Sequence, residues 1–515
     1  MARLNHLENE TNNLHFGKSM RLVISPQAQF GEVNIADIQL DPKSRDDIPQ
    51  LLRGLQHIYT SPELRERVFK ILEEVRPCHD GAMVSIETGR PGMEQWKILV
   101  LGIIRLGLNI DYDRVHELAN QHKTIREMLG HSGWFDETVY TLDTIKNNLR
   151  LFTPEILDRI NQEVVAAGHR LVKKSPEEKI SARCDSFVLE TNVHYPTDIN
   201  VLLDAIRKTI EICAELSKTA GGTEWRQSAY LIRKLKKLYR KAQRIRHSTS
   251  KDEAKRQARR DELMKAYTGY LEFAKEIVAR AKGARWELSR SGGHLLALAR
   301  VELDGYLADA ERQIDQVTRR VLQGETIPHT EKVFSIFQPH TEWISKGKAG
   351  VPVELGLPVC IVEDQYRFIL PHQVMEKTTD AAIAVPIVQA TRERFPEVTS
   401  ISMDKGFHSP ENQKELAKLV DCVVVPKKGR LSKVDQEREK SPEFIEKRRA
   451  HSAVESAINA LEVHGLDRCL DHGIDGFRRY VALAVVARNI QRLGAILRDQ
   501  ERKELERRER YKKAA

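Results

Sequence analysis

The stretch Val398–Lys418, VTSISMDKGFHSPENQKELAK, decides the fold. Val398, Ile401 and Met403 read as a short strand, and Gly406 breaks the pattern. Ser409, Pro410 and Glu411 then read as a helix start: a capping hydroxyl, proline at the first helical position and an acid in the first turn. Asp404 therefore stands at the carboxyl end of a strand, just before a turn, where open α/β sheets place their chemistry. An Asp in such a turn can also do no more than satisfy local amides. What else the chain places beside it decides between the two.

Strand character recurs on either side of a long helical segment. In KISARCDSFVLETN (179–192), Ile180, Ala182 and Cys184 alternate with Ser181, Arg183 and Asp185. VPVELGLPVCIVEDQYRFILPHQV (351–374) reads as two or three short strands, with Glu363-Asp364-Gln365 suited to a turn. DCVVVPKKG (421–429) is a further apolar strand closed by Pro-Lys-Lys-Gly. Between these lie apolar stripes at helical spacing: Leu202, Ile206, Thr209, Cys213, Leu216; Leu231, Leu235, Leu238, Ala242, Ile245; Met264, Tyr267, Leu271, Ala274, Val278, Ala281; and Leu303, Leu307, Ala310, Ile314, Val317, Val321. Steps of three and four mark long helices packed side by side. HSTSKD (247–252) suits a turn between two of them, so 203–330 is expected to be a bundle of about four antiparallel helices. The expected architecture is a mixed α/β sheet interrupted by a helical insertion.

With 515 residues the chain can bury several cores. Its 83 Lys and Arg against 74 Asp and Glu leave a formal charge of +9. That charge is concentrated: 226–260 holds 14 bases and two acids, a local net of +12. Like charges at i,i+4 repel, so a face of this kind, carrying Arg233, Lys234, Lys236, Lys237, Arg240, Lys241 and Arg244, suits phosphate better than water. Six scattered cysteines without a CxxC pair argue against a zinc ribbon or a disulfide framework and fit a reducing cytoplasm. No signal pattern opens the chain. The apolar runs WKILVLGIIRLGL and YVALAVVARNI are short and interrupted by Arg, so no membrane span is expected.

A third carboxylate comes from KRRAHSAVESAINALEVHG (447–465). Val454, Ile458 and Leu461 form an apolar helical stripe, with His451, Ser452, Glu455, Asn459 and Glu462 on a polar one. The expected element is one continuous helix with Glu455 near its middle, on the face of His451. Asp185, Asp404 and a helical Glu, from separated elements, can converge to hold two divalent ions. Carboxylates suit Mg²⁺ or Mn²⁺, and two such ions about 4 Å apart support phosphodiester chemistry.

At this point the sequence resembles a known family, the bacterial insertion-sequence transposases of the DDE class with a ribonuclease-H-like catalytic core, and within it the ISNCY group. CDSFVLETNVHYPTDINVLLDAIR resembles the first-Asp block, MDKGFHSPEN the second, and RRAHSAVESAINALEVHGLDR the Glu-helix block. KGKAGVPVELGLPVCI resembles the stretch joining the first two. ETGRPGMEQWKILVLGIIRLGLNIDYDRVHELANQH and TVYTLDTIKNNL resemble the N-terminal block, so the likeness covers most of 85–495. It implies Asp185, Asp404 and Glu455 as the metal-binding and catalytic triad, holding two Mg²⁺ or Mn²⁺ ions. Related groups carry Tyr-x2-Arg-x3-Glu-x6-Lys in the Glu helix. Here those three flanking positions are Arg448, His451 and Glu462, so basic roles pass to Arg448, Arg449 or His451, and Glu462 is a fallback third carboxylate. Asp198 reads as the N-cap of INVLLDAIRK, and Glu190 and Asp364 as supporting or turn residues.

The expected organisation is a poorly defined segment over 1–60, a helical DNA-binding domain over 61–176, a catalytic domain over 177–202 and 331–498, the basic insertion over 203–330, and a charged tail over 499–515. In the DNA-binding domain, TSPELRERVFKILEEV reads as a Ser-capped helix. Residues 94–131 read as two helices about LNIDYD, compatible with a helix-turn-helix. The resemblance implies binding to double-stranded DNA at the element's terminal inverted repeats and the target, assembly as a homodimer or higher multimer, and cleavage followed by strand transfer in the bacterial cytoplasm, at the nucleoid. Its rivals are a ribonuclease-H-like nuclease without strand transfer and a catalytically idle DNA-binding descendant.

Overall fold

The structure is a computed structural model that describes residues 22–25, 32–79, 82–83, 92–131, 136–173, 175–245, 251–288, 294–345 and 352–514. The turn expected at 247–252 and the start of the KGKAGV stretch lie largely outside the described residues. The chain divides into two compact units, 1–190 with 357–515, and 191–356.

The first unit begins with helices α1 (Asp47–Thr60) and α2 (Pro62–Leu72) and a short antiparallel pair, β1 (Cys78–His79) and β2 (Ala82–Met83). Helices α3 (Gln95–Gly107), α4 (Tyr112–Gln121), α5 (Lys123–Met128), α6 (Leu142–Leu149) and α7 (Pro154–Val172) follow, then strand β3 (Ile180–Thr191). The second unit contains α8 (Asp198–Thr219), α9 (Ser228–Arg244), α10 (Glu253–Leu288), α11 (His294–Val317) and β4 (Glu342–Ser345), which pairs with the first residues of β5 (Val353–Asp364). Back in the first unit come β6 (Ile369–Val374), α12 (Asp380–Arg394), β7 (Val398–Met403), α13 (Pro410–Leu419), β8 (Cys422–Val424), α14 (Lys433–Lys440), α15 (Pro442–His451), α16 (Ala453–Leu461), β9 (Arg468–Cys469) and α17 (Gly473–Ala514).

In the first unit the strands lie in the order β6-β5-β3-β7-β8, with β9 on β3. β3 and β7, and β7 and β8, are parallel; β5 and β6 are antiparallel. β3 and β5 run in opposite directions: Ser181 N–H donates to Gln365 Oε1 at 2.9 Å, whereas Thr191 Oγ1 meets Leu355 O at 3.2 Å. Helices cover both faces. Ile180, Ala182 and Cys184 pack with Ile383, Ile387 and Leu416 from α12 and α13, and Phe187 and Leu189 join the core of α1, α3, α7 and α17. The buried parity of β3 thus switches between Cys184 and Phe187, and Asp185 lies at the switch.

The N-terminal helices and the sheet share one core. α3 is apolar on nearly every side and lies fully inside it, as an all-round hydrophobic helix must. The 94–131 region is three helices, since Asn109 takes positive φ to end α3 and His122 caps a short α5. Residues 47–60, unassigned from sequence, form α1, whose Leu51, Leu52, Leu55 and Ile58 are buried. Its partner is α17, at the other end of the chain, where Gly54 and Gly494 admit the close crossing: a Cβ at Gly494 would lie 1.9 Å from Gln50 O. α17 is also the single described helix long and apolar enough to cross a membrane by composition, and 67% of its apolar window is buried.

The second unit packs α8–α11 on one another through the stripes read from the sequence, with Leu202, Ile206, Leu235, Leu271, Ala274, Leu303 and Ala310 buried. The cap of α8 is Thr197, which forms a capping box with Asn200; Asp198 is the first helical residue, with its carboxylate 2.7 Å from Arg320 Nε. The expected cap is displaced by one residue because Asn at the third helical position reaches back to the Thr197 amide.

Candidate active site

The quoted stretch folds as its local chemistry dictates. β7 ends at Met403, Lys405–Phe407 make one 3-10 turn, and Ser409 caps α13. Phe407 is fully buried and anchors the turn. Asn412 Nδ2 donates to Phe407 O at 2.8 Å and Ala381 O at 2.7 Å, tying the turn to the start of α12. Gly406 brings the turn close to Asp380: a Cβ on it would lie 2.8 Å from Asp380 Oδ2 and would push that side chain aside.

Strand register brings the first two carboxylates together. Cys184 pairs with Met403 on parallel β3 and β7, so the next residues, Asp185 and Asp404, emerge side by side. The Asp185 carboxyl is pushed up to about 6 by burial first, opposed by the Ser186 N–H it accepts at 2.8 Å, and raised further by the charges of Asp404, Asp380 and Glu455. Glu455, rather than Glu462, is thus among the leading charges acting on Asp185 and, independently, on His451. Glu455 and the Asp404 side chain are exposed, so the group opens to solvent on that side.

Asp380 carries no site signal in the sequence. Its context, TTD before an apolar run, marks only a helix start, and Thr379 does cap α12. Yet Asp380 Oδ1 accepts from Ser186 Oγ at 2.6 Å, directly beside Asp185. Four carboxylates therefore act on one region.

The expected continuous Glu helix is interrupted. α15 ends at His451 and α16 starts at Ala453, with Ser452 Oγ bonded to Arg449 O at 2.9 Å, a back-bond that bends helices. Glu455 consequently lies in the first turn of α16. His451 is not a surface cation. It is half-buried, with Nδ1 3.1 Å from Ser402 Oγ and Nε2 3.9 Å from Asp404 Oδ1. Burial and the Arg183 charge lower its pKa against the pull of Asp404 and Glu455, so it is neutral at pH 7. Arg183 links this corner to the sheet: Nη2 is ion-paired with Glu363 at 3.0 Å and donates to Asp364 O at 2.6 Å, and Nη1 donates to Ala450 O at 3.3 Å on α15.

Of the expected turn residues, Glu363 and Asp364 are the buried last residues of β5 and Gln365 begins the turn, which Asp364 holds from its base. Asp364 is fully buried, bonded to His169 Nε2 at 2.5 Å and to the Tyr366 and Phe368 amides, and the turn falls at 365–367 with Arg367 at φ 69°. Buried Glu363 is pushed up to about 7 by burial, against the lowering effect of Arg183. Glu190 pairs with Arg468 at 3.0 Å, away from the carboxylate group.

Arg448 and Arg449 are exposed on α15. In the second unit Arg233, Lys234, Lys236, Lys237, Arg240, Lys241 and Arg244 are all exposed on α9. Lys234 Nζ stands 4.3 Å from the Phe273 ring centroid. Neighbouring α10 differs, since its Arg256 and Arg259 pair with Glu253 and Glu262.

Among the described residues no three His, Cys, Asp or Glu side chains are already gathered around one point. The carboxylates feel one another's charge at longer range than ligation. All-oxygen donors with strained mutual repulsion fit hard divalent cations held between them. No protein-family model matches this chain, and no curated protein or solved structure matches it.

Proposed function

We propose that the chain is a DDE-class, ISNCY-like insertion-sequence transposase with a ribonuclease-H-like core, acting on double-stranded DNA in the bacterial cytoplasm. The observation that carries this reading is the β3–β7 register, which sets Asp185 beside Asp404 while Glu455 from α16 acts on the same carboxyl. The strand order supports it: numbering β3, β5, β6, β7 and β8 from one to five, the sheet reads 3-2-1-4-5 with the first Asp on its central strand.

Asp185, Asp404 and Glu455, with Asp380 behind Asp185, would hold two Mg²⁺ or Mn²⁺ ions, which when bound supply activation of the attacking oxygen and stabilisation of the leaving one. Of the three triad carboxylates Asp185 is the one that is half-buried, so it would hold a cation from the sheet side. Asp404 and Glu455 face solvent, where a duplex can reach them. His451, braced by Ser402, faces Asp404 from α15 with Nε2 3.9 Å from Oδ1. Arg448 and Arg449 extend from the same helix toward phosphate, and the α9 cations offer a second phosphate-binding face. The protein would bind the terminal inverted repeats as a dimer or higher multimer.

The test is cleavage and strand transfer of a labelled duplex carrying the element's end, with Mg²⁺ or Mn²⁺. Asp185→Ala, Asp404→Ala and Glu455→Ala should lose both steps and retain DNA binding, while Glu462→Ala stays active. Cleavage without joining would favour a nuclease. Binding without either step would favour an idle descendant.

A further inference from the structure

The second unit contains a cavity that the carboxylate chemistry does not use. Its volume is ≈ 360 Å³, and one wall is the Tyr195–Asp198 turn that opens α8, part of the HYPTD motif. Its size falls in the range of small-molecule sites, about 300–1,000 Å³. Phe334, Trp343 and His329 line it opposite Tyr195. The rings run in a chain: Tyr195 to Trp343 with centroids 5.6 Å apart at 64°, Trp343 to Phe334 at 5.6 Å and 35°, Phe334 to His329 at 5.3 Å and 45°. The rings meet edge to face or tilted rather than stacked, and Tyr195, at the end of the chain of rings, is 60% exposed.

Cations frame the rings. Lys332 is exposed at the lining, whereas Arg320 is ion-paired at 2.7 Å with Asp198, which also lines the cavity, so a phosphate there would share Arg320 with that carboxylate. A simple anion would need the cations without the rings, and an apolar ligand the rings without the cations. A nucleotide needs both: its base stacks on aromatic faces while its phosphate meets Lys or Arg. A base still paired in a duplex offers no free face, so the ligand must be unstacked.

We propose that this cavity receives a single unpaired DNA base, its phosphate meeting Lys332 and Arg320. The preference for a nucleotide over another planar anion rests on the DNA reading above. The experiment uses the full chain with four probes: a paired duplex, the same duplex with one extrahelical 2-aminopurine, a single-stranded oligonucleotide, and 2-aminopurine deoxynucleotide alone. The extrahelical probe should be quenched on binding. Tyr195→Ala and Trp343→Ala should weaken the bulged and single-stranded probes about five- to 150-fold and leave the paired duplex unchanged. Trp343→Phe should retain binding. Tyr195→Ala is decisive if Trp343→Ala misfolds, since its ring is exposed. Wild-type affinity and quenching in both alanine variants overturns the proposal while paired-duplex binding leaves the DNA reading standing. Quenching of the free nucleotide that depends on Tyr195 and Trp343, without any duplex binding, supports the cavity and removes the DNA reading.

Discussion

Asp185→Asn should stabilise the metal-free protein at neutral pH. The Asp185 carboxyl is raised from 3.8 to about 6 by burial and by Asp404, Asp380 and Glu455. A shift of that size corresponds to about 3 kcal/mol, at about 1.36 kcal/mol per unit. Asp404 and Glu455 face water, so screening leaves about 1–3 kcal/mol as the expected effect. The sign follows from proton uptake. Between 3.8 and about 6 the folded chain binds more protons at this site than the unfolded chain, so stability falls as pH rises through that window. The full penalty is present above about 6 and absent below 3.8. Asn keeps an oxygen to accept the Ser186 N–H and carries no charge.

Urea unfolding in EDTA at pH 4, 6 and 8 measures this. The variant should gain on wild type from pH 4 to just above 6 and hold that gain at pH 8. Mg²⁺ should then raise the wild-type midpoint at pH 8 and barely move that of the variant. Equal midpoints at pH 4 and pH 8, or a variant weaker at pH 8, would refute the claim that these carboxylates strain one another.

Arg183→Ala should destabilise by about 1–3 kcal/mol at neutral pH, because Glu363, its pKa already at about 7, loses its ion-pair partner and takes up a proton; calorimetry should show partial recovery in Arg183→Ala/Glu363→Gln, and no recovery would sink the explanation. Gly406→Ala places a Cβ 2.8 Å from Asp380 Oδ2. It should cut cleavage at least tenfold with little loss of DNA affinity, and unchanged turnover would show that the turn yields freely. Replacing Lys236, Lys237, Arg240 and Arg244 by Gln should lower the slope of log affinity against log salt by up to about 0.9 for every phosphate that these side chains neutralise. An unchanged slope would make α9 a solvated face.

How far the sequence can be read depends on where the partner of each residue lies. The stripes of α8–α11 and the alternation in β3 are local repeats, so they are legible. Asp364 does hold the turn that follows it, but the burial of Glu363 and Asp364 is not legible because Arg183 and His169, their other partners, lie far upstream in the chain. α1 carries its own stripe, Leu51, Leu55 and Ile58, but no local repeat shows that the helix covering it is α17, at the other end of the chain. Asp380 looks like any first-turn acid; only the fold brings Ser186 and Gly406 to it. Ser452 sits in a helical pattern, and no spacing rule shows that its hydroxyl will bend the chain there.

Asp404 itself is placed by its neighbours. Ile401 and Met403 lie in the core beneath α12 and α13, while Ser400 and Ser402 meet Lys447 at 2.9 Å and His451 at 3.1 Å from α15. A one-residue slip of β7 would drive Ile401 and Met403 against that polar helix and the serines into the apolar core. Both faces of the strand therefore resist the slip. The register that survives is the one in which Asp404 follows Met403 out of the sheet beside Asp185. The two acids do not draw each other together, since their charges oppose it. Apolar burial on one face and two serine hydrogen bonds on the other hold them in adjacent register, and on the proposed reading a divalent cation between them would turn that repulsion into binding energy.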